Sequence, residues 1–131
     1  MDPKILVVED DFANQQVATL FLERFGYQTE IASNGQIAVE LASQTKYGLI
    51  YMDCQMPTVD GFEASRRLRN TPGLNQTTPI VALTANMVSG IKQRCISAGM
   101  DDVICKPINM DALELMSQRW YNQKSGFLPL E

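Results

Sequence analysis

The sequence of 131 residues contains no histidine. This absence excludes a Ser-His-Asp or Cys-His nucleophile system, a histidine metal ligand and a phosphohistidine carrier within the chain. The three cysteines lack CxxC spacing, which is typical of reduced thiols in a reducing compartment. We expect Cys95 and Cys105 to be small buried residues and Cys54 to be more exposed.

Basic residues and long apolar runs are also scarce. The chain has 11 Lys+Arg against 15 Asp+Glu, and this acidic balance argues against direct nucleic-acid binding, which uses basic patches. No run approaches the roughly 20 apolar residues of a membrane span, and residues 5–8 are too short for a signal peptide. We therefore expect a cytoplasmic chain that binds neither nucleic acid nor membrane.

Short apolar runs alternate with helical patterns along the chain. The runs read as strands buried on both faces, a habit of parallel sheets, whereas residues 27–32 alternate in polarity and predict an edge strand. The buried runs are 5–8, 49–52, 80–83 and 103–105. The apolar stripes that predict five helices are Ala13, Val17, Leu20 and Phe21; Ile37, Ala38, Leu41 and Ala42; residues 62–68; Met87, Ile91, Cys95 and Ala98; and Leu113, Met116 and Trp120 with Asn109 as N-cap.

This order predicts one α/β domain, a (βα)5 doubly wound parallel sheet with helices on both faces. We place the domain at residues 1–121 and a C-terminal tail or linker start at 122–131, where helical periodicity ends. The methionine and tryptophan stripe at 110–120 is expected to be core. Asp101 and Asp102 are expected to be solvated turn residues, and Asp11 an acid of the first helical turn.

Polar residues follow the predicted strands at the point where each strand ends. Glu9 and Asp10 follow the first run, Asp53 the next buried run, Thr84 the fourth strand and Lys106 the fifth. Open parallel sheets bind ligands at the carboxyl ends of their strands, so we expect these residues to converge on one edge.

Such a cluster has a definite chemistry. Two carboxylates at 4 Å repel by about 4 kcal/mol at an effective dielectric of 20, so a cation should offset the crowding. Mg²⁺ takes carboxylate, water and phosphate oxygens, and Lys106 supplies a further positive charge. A carboxylate beside a metal, a lysine and a hydroxyl is equipped to accept a phosphoryl group, which makes Asp53 the candidate nucleophile.

These residues lie in segments that resemble the receiver domain of two-component response regulators. The segments are ILVVEDD at 5–11, MDCQMPTVDGFEA at 52–64, TPIVALTA at 78–85 and AGMDDVICKPI at 98–108. The NQ at 14–15 and the ALTAN, AGMDD and KPI wording are most similar to receivers of hybrid sensor histidine kinases and phosphorelays. The resemblance implies a flavodoxin-like fold with strand order 2-1-3-4-5.

The resemblance also implies roles for four residues at the acidic end of the site. Asp53 is the phosphoacceptor and also a ligand of the metal. Asp10 and Glu9 hold Mg²⁺, Asp10 directly and Glu9 directly or through water. The backbone carbonyl of Gln55 completes the protein ligands of the metal.

Further implied roles concern the switch. Lys106 pairs with the phosphoryl group, and a cis Lys106–Pro107 peptide places the lysine at the site. Thr84 moves inward to hydrogen-bond the phosphoryl group. The family often has an aromatic residue three positions before the lysine, where this sequence has Val103. The phosphoryl donor is a partner histidine kinase or histidine phosphotransfer domain. The output face comprises the fourth and fifth strands and helices, against which a downstream domain packs.

Two alternatives use similar residues. An Asp-based, Mg²⁺-dependent phosphohydrolase of small molecules would need a second acid or base near the nucleophile and a substrate lid, and the sequence shows neither a DxD motif at the third strand nor a long insertion. A flavodoxin-like cofactor binder would need a phosphate-binding loop, but the chain has neither GxGxxG nor GxxxxGK. We therefore interpret the chain as a signalling switch rather than an enzyme acting on an external substrate.

Overall fold

A computed structural model describes residues 2–123 as a parallel five-stranded sheet with helices on both faces. The strands lie in the order β2-β1-β3-β4-β5, which confirms both the α/β prediction and the order implied by the resemblance. The elements are β1 (Lys4–Val8), α1 (Phe12–Arg24), β2 (Thr29–Ala32), α2 (Gly35–Ala42), β3 (Tyr47–Asp53), α3 (Gly61–Asn70), β4 (Ile80–Thr84), α4 (Ile91–Ser97), β5 (Asp102–Cys105) and α5 (Met110–Trp120).

Within the described residues, no helix is both long and apolar enough to span a bilayer. The predicted tail at 122–131 lies outside the described residues from position 124 onward. It stays a prediction.

The apolar runs form the strands as predicted, with one exception. β3 and β4 are buried throughout, as is β1 after Lys4, and β2 is the predicted edge strand. β5, however, is the opposite edge, and only Ile104 is fully buried in it. The prediction that β5 is buried on both faces was wrong because it has a neighbour on one side alone.

The same geometry corrects two cysteine predictions. Cys105, expected to be buried, is exposed because it ends the edge strand β5, whereas Cys95 is buried as predicted. Cys54, expected to be more exposed, is buried because its side chain packs among the apolar core residues on one face of the sheet, and its backbone N–H continues the pairing of β3 with β4 by donating to the Leu83 carbonyl at 2.9 Å. All three thiols are free.

The core consists of two separate clusters, one on each face of the sheet. One cluster packs α2, α3 and α4 against the sheet and includes Ile50, Met52 and Phe62. The other packs α1 and α5 against the opposite face and includes Tyr51 and Leu113. Strand side chains alternate between the faces, so β3 contributes neighbouring residues to different clusters.

Two helical stripes differ from their predictions. In α1 the buried residues are Ala18, Thr19 and Leu22. Of the predicted stripe, Ala13, Val17 and Leu20 are exposed and Phe21 is half-buried. The Thr19 hydroxyl donates to the Gln15 carbonyl at 2.9 Å, which satisfies this buried polar group, and a pattern based on hydrophobicity misses it. α4 begins at Ile91 because Gly90 adopts a left-handed conformation, which leaves the predicted Met87 outside the helix.

Side-chain caps begin four of the helices. Asn109 caps α5 as predicted, accepting a hydrogen bond from the Ala112 N–H at 3.0 Å. Asp11, predicted in the first turn of α1, instead precedes that turn as the N-cap and accepts the Asn14 N–H at 2.9 Å. Asn34 and Asp60 cap α2 and α3. The Asp11 cap fixes where the chain turns from β1 into α1, directly beside two of the predicted metal ligands.

Asp101 and Asp102 are not the solvated turn residues that the sequence predicted. The Asp101 carboxylate is buried, pairs with Arg69 at 3.1 Å and accepts the Ile80 N–H at 2.9 Å. Asp102 accepts hydrogen bonds from Arg119 and from the Trp120 indole. Asp101 thus links the start of β5 to α3 and β4, and Asp102 links β5 to α5, so the role of both carboxylates is structural.

We expect Tyr51 to make the free energy of unfolding sensitive to alkaline pH. Its ring is fully buried, and its hydroxyl lies 2.6 Å from Ser117 Oγ. Burial raises the pKa of Tyr51 above 10.0; the Ser117 hydrogen bond lowers it in part, and nearby Tyr27 raises it further. The folded chain therefore holds this proton at a pH where the unfolded chain releases it. We expect the free energy of unfolding to fall above about pH 10, by up to about 1.4 kcal/mol per pH unit for this group.

Urea unfolding between neutral pH and pH 11 measures this slope. Tyr51→Phe should flatten it more than the control Tyr27→Phe, whose ring is only half-buried. An unchanged slope in Tyr51→Phe would show that Tyr51 does not control the alkaline transition.

Candidate functional site

Strand register brings the predicted site residues to one edge of the sheet. Val8 pairs with Met52, and Asp53 pairs with Leu83, so Glu9 and Thr84 each follow a residue paired with β3. Thr84 pairs in turn with Cys105, which precedes Lys106. The carboxyl ends of four neighbouring strands therefore supply this edge of the sheet.

Lys106 joins two of the carboxylates. Its Nζ lies 2.8 Å from Glu9 Oε1 and 3.0 Å from Asp53 Oδ2. The three side chains are 15%, 1% and 5% exposed, so these contacts are shielded from water. Burial alone lowers the pKa of Lys106, but the hydrogen bonds and charges of Glu9 and Asp53 outweigh burial, and the pKa is raised. The ammonium is thus a fixed positive charge at the site.

Asp53 ends β3 with its carboxylate held at both oxygens. Oδ1 accepts the backbone N–H of Gln55 at 3.1 Å, and Oδ2 accepts Lys106. Gln55 itself is exposed in the loop that leads to α3. The carboxylate is nearly buried, yet this loop and the exposed Asp10 leave one side of the site open to solvent.

The acidic cluster suits a hard divalent cation. Carboxylate oxygens of Glu9, Asp10 and Asp53 all lie within 4.8 Å of one another. One ammonium offsets only part of the charge of three carboxylates, and oxygen is the ligand that Mg²⁺ prefers. The donor set therefore fits Mg²⁺, with Asp10 exposed on the solvent side of the cluster.

Thr84 lies at the same edge, with its hydroxyl engaged elsewhere. The side chain is buried, and its Oγ1 accepts the Asn86 N–H at 3.1 Å. Its carbonyl accepts the Lys106 N–H at 2.7 Å, and the Lys106–Pro107 peptide is cis, as the resemblance implied. Val103 is half-buried against the cluster on the α4 side of the sheet.

The structure adds Gln15 to the residues around the site. Its side-chain N–H donates to the Glu9 carbonyl at 2.7 Å, and the Glu9 carboxylate accepts the Asp11 N–H at 3.1 Å. In the sequence, the NQ pair at 14–15 contributed only to the family resemblance. The sequence signal that could have identified Gln15 is its spacing of one helical turn from the Asp11 cap. This spacing places residue 15 on the side of α1 that faces the end of β1.

Gly61 lies so close to the backbone of Asp53 that a side chain does not fit at this position. A Cβ at this position would overlap the Asp53 carbonyl oxygen and lie 2.9 Å from its carbonyl carbon.

We expect Gly61→Ala to displace the Asp53 backbone and to lower the free energy of unfolding by about 1–3 kcal/mol. Chemical denaturation measures this loss. The control is Gly73→Ala, where a Cβ meets nothing within 4 Å. Equal stability of the two variants would contradict the steric account.

Comparisons with known proteins agree with this fold. The model of the response regulator receiver domain matches residues 5–118. Hybrid signal transduction histidine kinase B of Dictyostelium discoideum is 44% identical over 115 residues, 80% of this chain. The receiver domain of sensor histidine kinase PA1611 from Pseudomonas aeruginosa PAO1, with magnesium coordinated in its active site cleft, superposes with a TM-score of 0.83 at 38% identity, covering 92% of this chain and 98% of that one.

A third relative is known in complex with a phosphotransfer protein. The receiver domain of Ssk1 from Saccharomyces cerevisiae, co-crystallised with the histidine phosphotransfer signaling protein Ypd1, superposes with a TM-score of 0.81 at 30% identity. That match covers 92% of this chain and 91% of the other.

This chain belongs to the response regulator receiver domain family. Within that family it is similar to the receivers of hybrid histidine kinases. The chain spans only 6% of the length of the Dictyostelium kinase and 15% of ArcB of Escherichia coli.

Proposed function

We propose that Asp53 accepts a phosphoryl group from a phosphohistidine on a partner histidine kinase or histidine phosphotransfer domain. The observation that carries the proposal is the single ammonium of Lys106 held between Asp53 and Glu9 within a cluster of three carboxylates. The chain has no histidine, so the donor imidazole comes from another domain or chain. The co-crystal of a similar receiver with Ypd1 supports this class of partner.

In this step, an oxygen of the Asp53 carboxylate attacks the phosphorus. A P–O bond forms, the P–N bond breaks, and its electron pair returns to the donor imidazole, which takes a proton from solvent. Glu9, Asp10, Asp53 and the backbone carbonyl of Gln55 would hold Mg²⁺, which supplies charge neutralisation for the transferring oxygens when it is bound. The magnesium in the similar Pseudomonas receiver supports this assignment.

Lys106 and Thr84 then respond to the new charge. Lys106 is close enough to exchange one carboxylate for a phosphoryl oxygen, and the Thr84 hydroxyl leaves Asn86 to donate to another. Because Thr84 lies in β4 and Lys106 follows β5, these movements reach the face formed by β4, α4, β5 and α5, where a downstream domain would bind. A near-complete switch requires a differential stabilisation of about 5.5 kcal/mol.

The proposal places the phosphoacceptor domain at residues 1–121 and a tail or linker at 122–131, in the cytoplasm. The family match over 5–118 supports the domain boundary, and the three free thiols are consistent with a reducing compartment. The chain then acts on no external substrate. As a signalling switch, it promotes its own phosphorylation from the partner's phosphohistidine and its own dephosphorylation.

Acetyl phosphate labelling tests the assignment. We expect incubation with acetyl phosphate and Mg²⁺ to add one phosphoryl group by intact mass, and Asp53→Asn to add none. Asp111→Asn is the control, because this carboxylate is exposed in the first turn of α5. Omission of Mg²⁺ should slow the labelling of the parent protein.

Two results would remove the proposal. One is an unlabelled parent protein, and the other is equal labelling of Asp53→Asn. Steady turnover of a small phosphate ester, abolished by Asp53→Asn, would favour a phosphohydrolase instead. The connections around the site are short, 54–60 between β3 and α3 and 85–90 between β4 and α4, and neither forms a substrate lid.

A further inference from the structure

We propose that Gln15 is a positioning residue for the metal ligands, and that it sets the affinity for Mg²⁺ by orienting the Glu9–Asp10 peptide. This inference rests on the proposed function of the site. It is carried by the contact between the Gln15 side-chain amide and the Glu9 carbonyl at 2.7 Å.

Consecutive acids pose a geometric problem for a metal site. In an extended strand, neighbouring side chains point to opposite faces, so Glu9 and Asp10 would diverge. In the structure, both carboxylates have an oxygen within 4.8 Å of the other and of Asp53. The backbone must therefore turn between the two residues, and the orientation of the peptide that joins them decides where the Asp10 side chain begins.

Two hydrogen bonds fix the backbone on either side of Asp10. Before it, the Glu9 carbonyl accepts the Gln15 amide. After it, the Asp11 N–H donates to Glu9 Oε2 at 3.1 Å. Asp10 is exposed, so packing does little to place its side chain, and its direction depends on these two flanking anchors.

Gln15 is itself held firmly enough to act as an anchor. Its backbone N–H donates to the Asp11 carbonyl at 2.9 Å, and its carbonyl accepts the buried Thr19 hydroxyl at 2.9 Å. The α1 cap at Asp11 starts the helix at the correct position for residue 15 to face the strand end. Helix α1 thus holds Gln15 in place, and Gln15 in turn orients the Glu9–Asp10 peptide, as groups behind the direct ligands do in other metal sites.

The test is direct Mg²⁺ binding by isothermal titration calorimetry, which does not depend on phosphorylation. We expect Gln15→Met, which keeps the length but removes the donor, to weaken Mg²⁺ binding about tenfold. The matched control is Gln16→Met, the same substitution at an exposed neighbour in the same helical turn. Labelling by acetyl phosphate in Gln15→Met should return to the parental extent at saturating Mg²⁺.

A purely structural role predicts a different pattern. Gln15→Met would then lower the metal-free stability, measured by urea unfolding, while its Kd for Mg²⁺ stayed equal to that of Gln16→Met, and this result would overturn the inference. Gln15→Ala serves as the second variant and should weaken binding to the same degree. If the parent protein binds no Mg²⁺, the metal assignment and this inference both fail. Binding by the parent with an unaffected Gln15→Met overturns the inference alone.

Discussion

Asp101→Ala is expected to lower the free energy of unfolding by about 3–5 kcal/mol, because it leaves a charge buried without its partner. Asp101 is 1% exposed, and Arg69, paired with it at 3.1 Å, is 14% exposed. The substitution also removes the acceptor of the Ile80 N–H at the start of β4. Arg69 cannot easily turn to solvent, because it also donates to the carbonyls of Gly99 and Gln76.

Urea denaturation at neutral pH measures this loss. The control is Glu63→Ala, which removes exposed ion pairs with Arg66 and Arg67 and should cost at most about 1 kcal/mol. A similar loss in both variants would mean that burial of the Asp101 pair adds nothing.

Lys106→Met is expected to have the second large effect, on both labelling and stability. The variant loses the positive charge that faces the transferring phosphoryl group, and we expect labelling by acetyl phosphate to slow about 100-fold or more. In the absence of metal, Glu9 and Asp53 also lose their shared partner at 2.8 Å and 3.0 Å, so the protein should unfold more easily. Mass spectrometry and thermal unfolding measure the two effects.

The response of this variant to Mg²⁺ is the sharper observation. In the parent protein the ammonium and the cation repel each other while they neutralise the same carboxylates. We therefore expect Mg²⁺ to raise the Tm of Lys106→Met more than it raises the Tm of the parent. Lys92→Met, on the exposed surface of α4, should behave as the parent does. A smaller Mg²⁺ response in Lys106→Met would contradict the account of a shared site.

The strand ends were the most predictable part of this molecule. In a parallel sheet, all strands end at the same edge, so a polar residue directly after a buried run lies at that edge. Glu9, Asp53 and Lys106 could therefore be placed together from the sequence. Chain order does not reveal which strand lies at the edge, and for this reason the exposure of Cys105 was predicted wrongly from its apolar neighbours.

A second group of errors concerns polar groups that are satisfied inside the protein. Thr19 and Asp101 look solvent-facing in the sequence, yet each is buried because a specific partner accepts or donates its hydrogen bonds. Gln15 was missed for the same reason. Its partner is a backbone carbonyl, which no residue type marks in the sequence, so the spacing of residue 15 from the Asp11 cap was the one signal that pointed to the contact.

The separation of the core into two clusters has a consequence for how such a chain can diverge. A change of side-chain volume beneath α4 is met first by neighbours on that face of the sheet, and it reaches the residues beneath α1 and α5 only through the backbone of the shared strands. Mutational drift can therefore retune one side of the molecule while the opposite side keeps its shape. A single ancestral scaffold of this kind can acquire new recognition specificity on one side without compensatory repacking on the other.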